Sequence, residues 1–150
     1  MMGVKVRGSQ IYKASIDEDR MKPAEFMHEV CLPIVTSERS RTQSTLASVV
    51  GSYIWKPERW NYDLIHTAEI EIEYSSDGAG EADLYDDTNN QKLADLVTVT
   101  EATGYDVERI DVTSAIKALT SDTKLRIQIA GDGTNAFYIY KASLVITLIG

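Results

Sequence analysis

Seven consecutive residues constrain this chain more than any other feature: Ala68-Glu69-Ile70-Glu71-Ile72-Glu73-Tyr74. Apolar and charged side chains alternate with a period of two. Successive side chains of a strand point to opposite sides, so Ala68, Ile70, Ile72 and Tyr74 share one face, and the three glutamates share the other. The segment is expected to be a half-buried antiparallel strand, dry on one side and wet on the other.

The same reading extends along the chain from residue 26. Lys124-Leu125-Arg126-Ile127-Gln128-Ile129 repeats the alternation with Leu125, Ile127 and Ile129 inward. Asp77-Gly78-Ala79-Gly80 reads as the loop to a strand near Glu81–Tyr85, and Gly131-Asp132-Gly133-Thr134-Asn135 as the loop to a strand at Phe137–Lys141. Ala142 to Leu148 is aliphatic on both faces, which predicts a central terminal strand. Glu25–Val35 and Leu46–Trp55 read as earlier strands, Pro33 marking an edge or bulge because proline cannot donate a ladder hydrogen bond. Between them, Thr36 to Ser44 is read as a polar, mobile loop, and Trp55 to Trp60 as a second connection. One helical signal interrupts the strands. Asp111 or Thr113 can cap free amides, and Val112, Ile116 and Leu119 fall on one face at i, i+4 and i+7. A two-turn helix near residues 112–119 follows.

Short strands every 8–12 residues, separated by turn signals, imply a β-sandwich or barrel. The expected fold is all-β: a jelly-roll-like antiparallel sandwich of seven or eight strands with that one short helix. Long crossings at residues 36–44 and 86–109 suit its Greek-key connections. At 150 residues the chain has the length of one domain, 1–150, with residues 1–25 as an N-terminal arm or extra strand. A chain of this size buries roughly 70% of its unfolded surface, enough for a core without metal or disulfide staples. The single cysteine, Cys31, allows no internal disulfide. Between Val30 and Leu32, it reads as a buried thiol acting as a small hydrophobe.

Charge is unevenly placed within the net −8. Residues 1–60 carry nine basic and seven acidic residues, and residues 112–150 four basic and two acidic. Residues 68–111 hold thirteen acidic residues against only Lys92 and Arg109. Such a segment argues against nucleic acid as partner, because phosphate binding needs concentrated Lys and Arg. It is read as a solubilising face, as a surface for end-to-end packing of copies, or as a cation site. No run of about 18 apolar residues predicts a membrane span, and the N-terminus has no apolar core for a signal peptide. The expected location is the cytoplasm or a virion.

The segment from Thr67 to the end resembles the second half of DNRLRE-type and carbohydrate-binding-module-like jelly rolls. The residues that carry the resemblance are the strand Ala68–Tyr74, Glu81 to Asp86, Ile110-Asp111-Val112-Thr113-Ser114-Ala115-Ile116, Leu125–Ala130 and Ala142 to Ile146. The resemblance implies that the aspartate, aliphatic, threonine triplet opens a short helix plugging one end of the sandwich. It covers a little over half of the chain.

Candidate sites are few. His28 and His66 are the only histidines. Cys31, at i+3 from His28, falls on the opposite face of a strand, so zinc is not expected. No nucleophile turn or Cys–His context is present, and no catalytic residue is assigned. Glu69, Glu71 and Glu73 have the spacing of a carboxylate pair for glycoside hydrolysis, but a ladder of glutamates is ordinarily the wet side of a sheet. Asp77, Glu81, Asp83 and Asp132, with Asn135, form the best metal candidate. Calcium takes six to eight oxygen ligands, largely from loops, if the two loops meet; the alternative is turn-forming residues in solvated loops. Tyr53, Trp55, Trp60 and Tyr62 cluster, and Tyr138 and Tyr140 alternate with Phe137 and Ile139. Trp55, Trp60, Tyr138 and Tyr140 are the candidate contacts, stacking on sugar rings or packing on a partner, with one of each group expected in the core.

Two functions follow as expectations. The first is a non-enzymatic assembly protein, such as a virion capsid, decoration or fibre component, whose partners are copies of itself or other particle proteins. The second is a carbohydrate- or ligand-binding module using the surface aromatics, with calcium as a possible structural ion and polysaccharide as partner.

Overall fold

The computed structural model describes residues 27–149. Glu29–Leu148 form one compact unit; the arm or extra strand expected at residues 1–25 lies outside the described residues. Ten strand segments run in the order β1 (Met27–Val35), β2 (Arg39–Arg41), β3 (Ala47–Ser48), β4 (Tyr53–Trp55), β5 (Ile65–Ser76), β6 (Gly80–Asp86), β7 (Gln91–Val99), β8 (Thr103–Asp111), β9 (Thr123–Ala130) and β10 (Phe137–Ile149), with the helix α1 (Thr113–Lys117) between β8 and β9.

They form two sheets. The first has the order β1-β10-β5-β8, with β2 also on β10; the second has the order β3-β9-β6-β7, with β4 also on β9. In each sheet two segments share one flank of a long strand, β1 and β2 on β10 and β3 and β4 on β9, so ten segments fill eight strand positions, four per sheet. This is the jelly-roll number, reached with more pieces than the sequence suggests. The break between β3 and β4 has a local cause. Gly51 sits at φ +117°, where a Cβ would overlap the carbonyl oxygen of Ile34, a conformation that favours glycine.

Alternation places the core as expected. Ala68, Ile70, Ile72 and Tyr74 on β5 and Leu125, Ile127 and Ile129 on β9 are all buried. Each such aliphatic side chain removed from water contributes about 1.5–3 kcal/mol. β10 lies between β5 on one side and β1 and β2 on the other, and Ala142 to Ile146 are buried on both faces. The expected strand at Phe137–Lys141 and the terminal strand are one element.

The loops after β5 and after β9 join strands where the sequence places them, each crossing from one sheet to the other. Other expectations are corrected. Residues 86–109 are not a long crossing but contain β7 and most of β8. The polar stretch 36–44 is not a free loop. Arg39–Arg41 pair with Phe137–Ile139, and the carbonyls of Thr42 and Gln43 accept from Gly133 and Gly131 at 2.7 and 2.8 Å. Cys31 is exposed, because period two turns Val30, Leu32 and Ile34 towards the core and its own side chain away.

The helix is shorter than two full turns, at five residues, but its apolar face is as read: Val112, Ile116 and Leu119 are buried. Asp111 Oδ1 accepts from the Thr113 amide at 2.8 Å and from its hydroxyl at 2.6 Å, while Thr113 Oγ1 accepts from the Ala68 amide at 2.8 Å. The triplet thus fastens the helix to β5.

Candidate functional site: a tyrosine ladder on the outer sheet face

β5, once its odd-numbered positions face outward, carries Glu73 and Ser75 on the outer surface, with Asp77 just beyond its end. Each meets one tyrosine hydroxyl. Tyr105 donates to Glu73 at 2.8 Å, Tyr140 and Ser75 share a hydrogen bond of 2.6 Å, and Tyr138 donates to Asp77 at 3.0 Å. The rings of Tyr105 and Tyr140 lie 5.5 Å apart at 49°, within the range in which aromatic pairs attract. Tyr105 is 62% exposed, and Tyr138 and Tyr140 are half-buried. The acceptor carboxylates hold the Tyr105 and Tyr138 hydroxyls in their protonated form, raising both above the usual phenol value. Tyr138 and Tyr140 both point out, neither lying in the core, whereas Tyr105 is a member that the strand reading misses.

Trp55 is a correction. It is fully buried, stacked on Trp60 at 4.8 Å and 13°, and its indole N–H donates to Tyr62 Oη at 2.9 Å, whose own hydroxyl donates to the Leu119 carbonyl at 2.7 Å. A buried indole satisfied in this way offers no face to a ligand. Trp60, half-buried, packs over it as its cover.

The metal candidates separate. The loops carrying Asp77 and Asp132 do meet: the Asp77 amide donates to the Ala136 carbonyl at 2.9 Å, and Gly78 has no room for a Cβ because Asn135 Nδ2 and Asp132 Oδ2 would stand 2.6 and 2.7 Å from it. Asp132, however, already accepts from the Thr134 and Asn135 amides at 2.8 and 2.6 Å and from Asn135 Nδ2 at 3.0 Å. Those donors hold its carboxyl down to about 2. Its lone pairs organise the corner. Glu81 and Asp83 lie elsewhere, on β6, and among the described residues no three His, Cys, Asp or Glu side chains are grouped to hold a metal ion.

The acidic segment is organised around its two cations. Arg109 reaches Glu29 at 2.8 Å, Glu71 at 3.2 Å and Glu69 at 3.6 Å, so the glutamate ladder is tied down by an arginine from β8. Lys92 reaches Asp95 at 2.7 Å and Asp83 at 3.7 Å on the other sheet. His28 and His66 are both exposed.

No protein-family model matches the chain, those of DNRLRE-type and carbohydrate-binding-module-like domains included, and no curated protein matches it. Among the described residues no helix is long and apolar enough to cross a membrane. Among solved structures, the VP2 subviral particle of infectious bursal disease virus is similar at a TM-score of 0.42 and 16% identity, over 84% of this chain and 33% of that one. The chain spans about a third of the length of that VP2 chain.

Proposed function

We propose that the chain is a non-enzymatic structural subunit that assembles with copies of itself or with other proteins of a particle, as a virion capsid, decoration or fibre component does. The observation that carries this reading is the tyrosine ladder Tyr105, Tyr140 and Tyr138, each hydroxyl anchored on the row Glu73, Ser75, Asp77. Tyrosine supplies a large contact area at the cost of few rotors. Rings already held by hydrogen bonds lose little further freedom on association, which is the cost that usually limits affinity. Light scattering coupled to size-exclusion chromatography tests it. The wild-type chain is expected to gain mass with concentration, and Tyr105→Ser combined with Tyr138→Ser and Tyr140→Ser to remain monomeric. A wild-type chain that stays monomeric at high concentration contradicts it.

The same outward-facing rings favour a second reading, a carbohydrate-binding module in which Tyr138 and Tyr140 stack on sugar rings. Retention on insoluble polysaccharide that is lost in Tyr138→Ala and Tyr140→Ala supports this reading, and no retention on any glycan removes it.

A further inference from the structure

β6 carries one residue at odds with its position. Asp83 lies between Ala82 and Leu84, both buried in the core, so alternation turns its side chain to the outer face of the sheet. It is nevertheless only 1% exposed, and its Oδ2 has no hydrogen-bond partner among the described residues. A buried carboxylate without a donor is costly. The groups around it make matters worse for the ionised form. On β7 its register partner is Asp95, a second carboxylate, and on its own strand Glu81 adds a further negative charge. On β9 its partner is Gln128, which is uncharged. Arg126, the next outward residue along β9, gives Nη2 to the Val49 carbonyl at 2.7 Å and stands 3.8 Å from Asp87. Lys92 is the cation at hand, and its short contact is with Asp95 at 2.7 Å, leaving Asp83 at 3.7 Å.

The strand that faces this carboxyl is irregular. Ala82 pairs with Val97 but Asp83 with Asp95, and Leu84 pairs with Ala94 but Tyr85 with Lys92. Leu96 and Leu93 are thus extra residues on β7, one on each side of the Asp83–Asp95 rung. Bulges of this kind interrupt the ladder, and β7 is the outer strand of its sheet. Only two rungs, Asp83–Asp95 and Leu84–Ala94, lie between the bulges, and there a single side-chain contact weighs most.

We propose that Asp83 is a proton-operated latch on the β6–β7 ladder. Protonated, Asp83 donates its proton to the Asp95 carboxylate across the two strands and β7 is held to its neighbour. Once the proton leaves, two carboxylates face one another with one lysine between them, and β7 opens more often. The inference is independent of the assembly reading. Its working range is set by burial, which pushes the Asp83 carboxyl up to about 6 against the opposing pull of Lys92. A group whose folded value is raised contributes stability that is complete below its unfolded value, 3.8, and is lost as pH rises through about 6. The device therefore closes in mildly acidic surroundings and loosens above neutrality.

Amide hydrogen exchange of the full chain, corrected for the intrinsic pH dependence of exchange, reads the latch directly. Protection of the β7 amides is expected to fall about tenfold between pH 5 and pH 8, while β5 is unchanged. Asp83→Asn, permanently neutral, should flatten that dependence. Lys92→Met removes the cation that favours the ionised form and should move the midpoint to higher pH. Wild-type β7 protection that does not vary over this range overturns the proposal. So does a fall that persists in Asp83→Asn, or a midpoint that Lys92→Met leaves in place.

Discussion

The indole N–H of Trp55 points at the hydroxyl of Tyr62, 2.9 Å away, and that contact turns an apparent surface aromatic into the floor of one end of the sandwich. Tyr62 passes the hydrogen bond on to Leu119 just beyond α1, so the turn after β4 and the helix end are joined through two side chains. Trp55→Ala is expected to cost about 3–5 kcal/mol, as large core aromatics do, with no effect on any surface contact. Urea denaturation measures it. Unchanged stability would mean that the tryptophan is not core.

The β5–β6 and β9–β10 corners depend on backbone approach. A Cβ at Gly131 would stand 2.6 Å from both the Arg41 and Thr42 carbonyl oxygens and would overlap that of Asn135. Gly131→Ala should therefore destabilise by about 1–3 kcal/mol, the range for forced overpacking, visible as a lower midpoint of thermal unfolding.

Asp132 makes the same corner sensitive to acid. Its folded value lies near 2 against 3.8 when free, so its contribution to stability is present above 3.8 and fades as pH falls towards about 2. Asp132→Ala is expected to be less stable than wild type at pH 5, with the gap narrowing as pH falls towards 2. Urea midpoints of both proteins across that range measure it.

β8 is a nine-residue outer strand, and exposed edges of that length invite pairing with other chains. It carries Asp106 and Glu108 on the side that faces inward, where both accept from the buried Tyr74 hydroxyl. Burial and these two carboxylates push that hydroxyl well above the ordinary phenol value. Inward charge of this kind guards an edge. Replacing both by valine should turn β8 into a sticky strand, detected as irreversible, concentration-dependent aggregation with increased binding of an amyloid dye.

Arg109 should matter most at low salt. It is 39% exposed and serves three glutamates, so Arg109→Gln is expected to lower the unfolding midpoint at low ionic strength, and added salt should shrink the difference.

What could be read in advance follows from where period two survives. β5, β9 and β10 have a dry face opposite a wetter one, or two dry faces, and their existence and inward residues are legible, although β5 runs longer than Ala68–Tyr74 and β10 reads as two pieces. β7 is not, because Leu93 and Leu96 are inserted at bulges and break the alternation. β8 is hidden for the reverse reason: its inner positions Asp106 and Glu108 are charged, and its outer ones, Tyr105 and Val107, are apolar and exposed. Had Tyr105-Asp106-Val107-Glu108 been taken as an inverted strand, Tyr105 would have joined Tyr138 and Tyr140 among the site residues. The separation of Asp77 and Asp132 from Glu81 and Asp83 depends on which loops cross between sheets, and local sequence does not encode that.

The proposed assembly requires the tyrosine ladder to be a contact surface. Oxidative labelling of tyrosine side chains at low and high protein concentration tests it most directly. Tyr105, Tyr138 and Tyr140 are expected to become protected together as the chain associates, while Tyr53 keeps its reactivity. Association that leaves all three as reactive as in the dilute protein would contradict it.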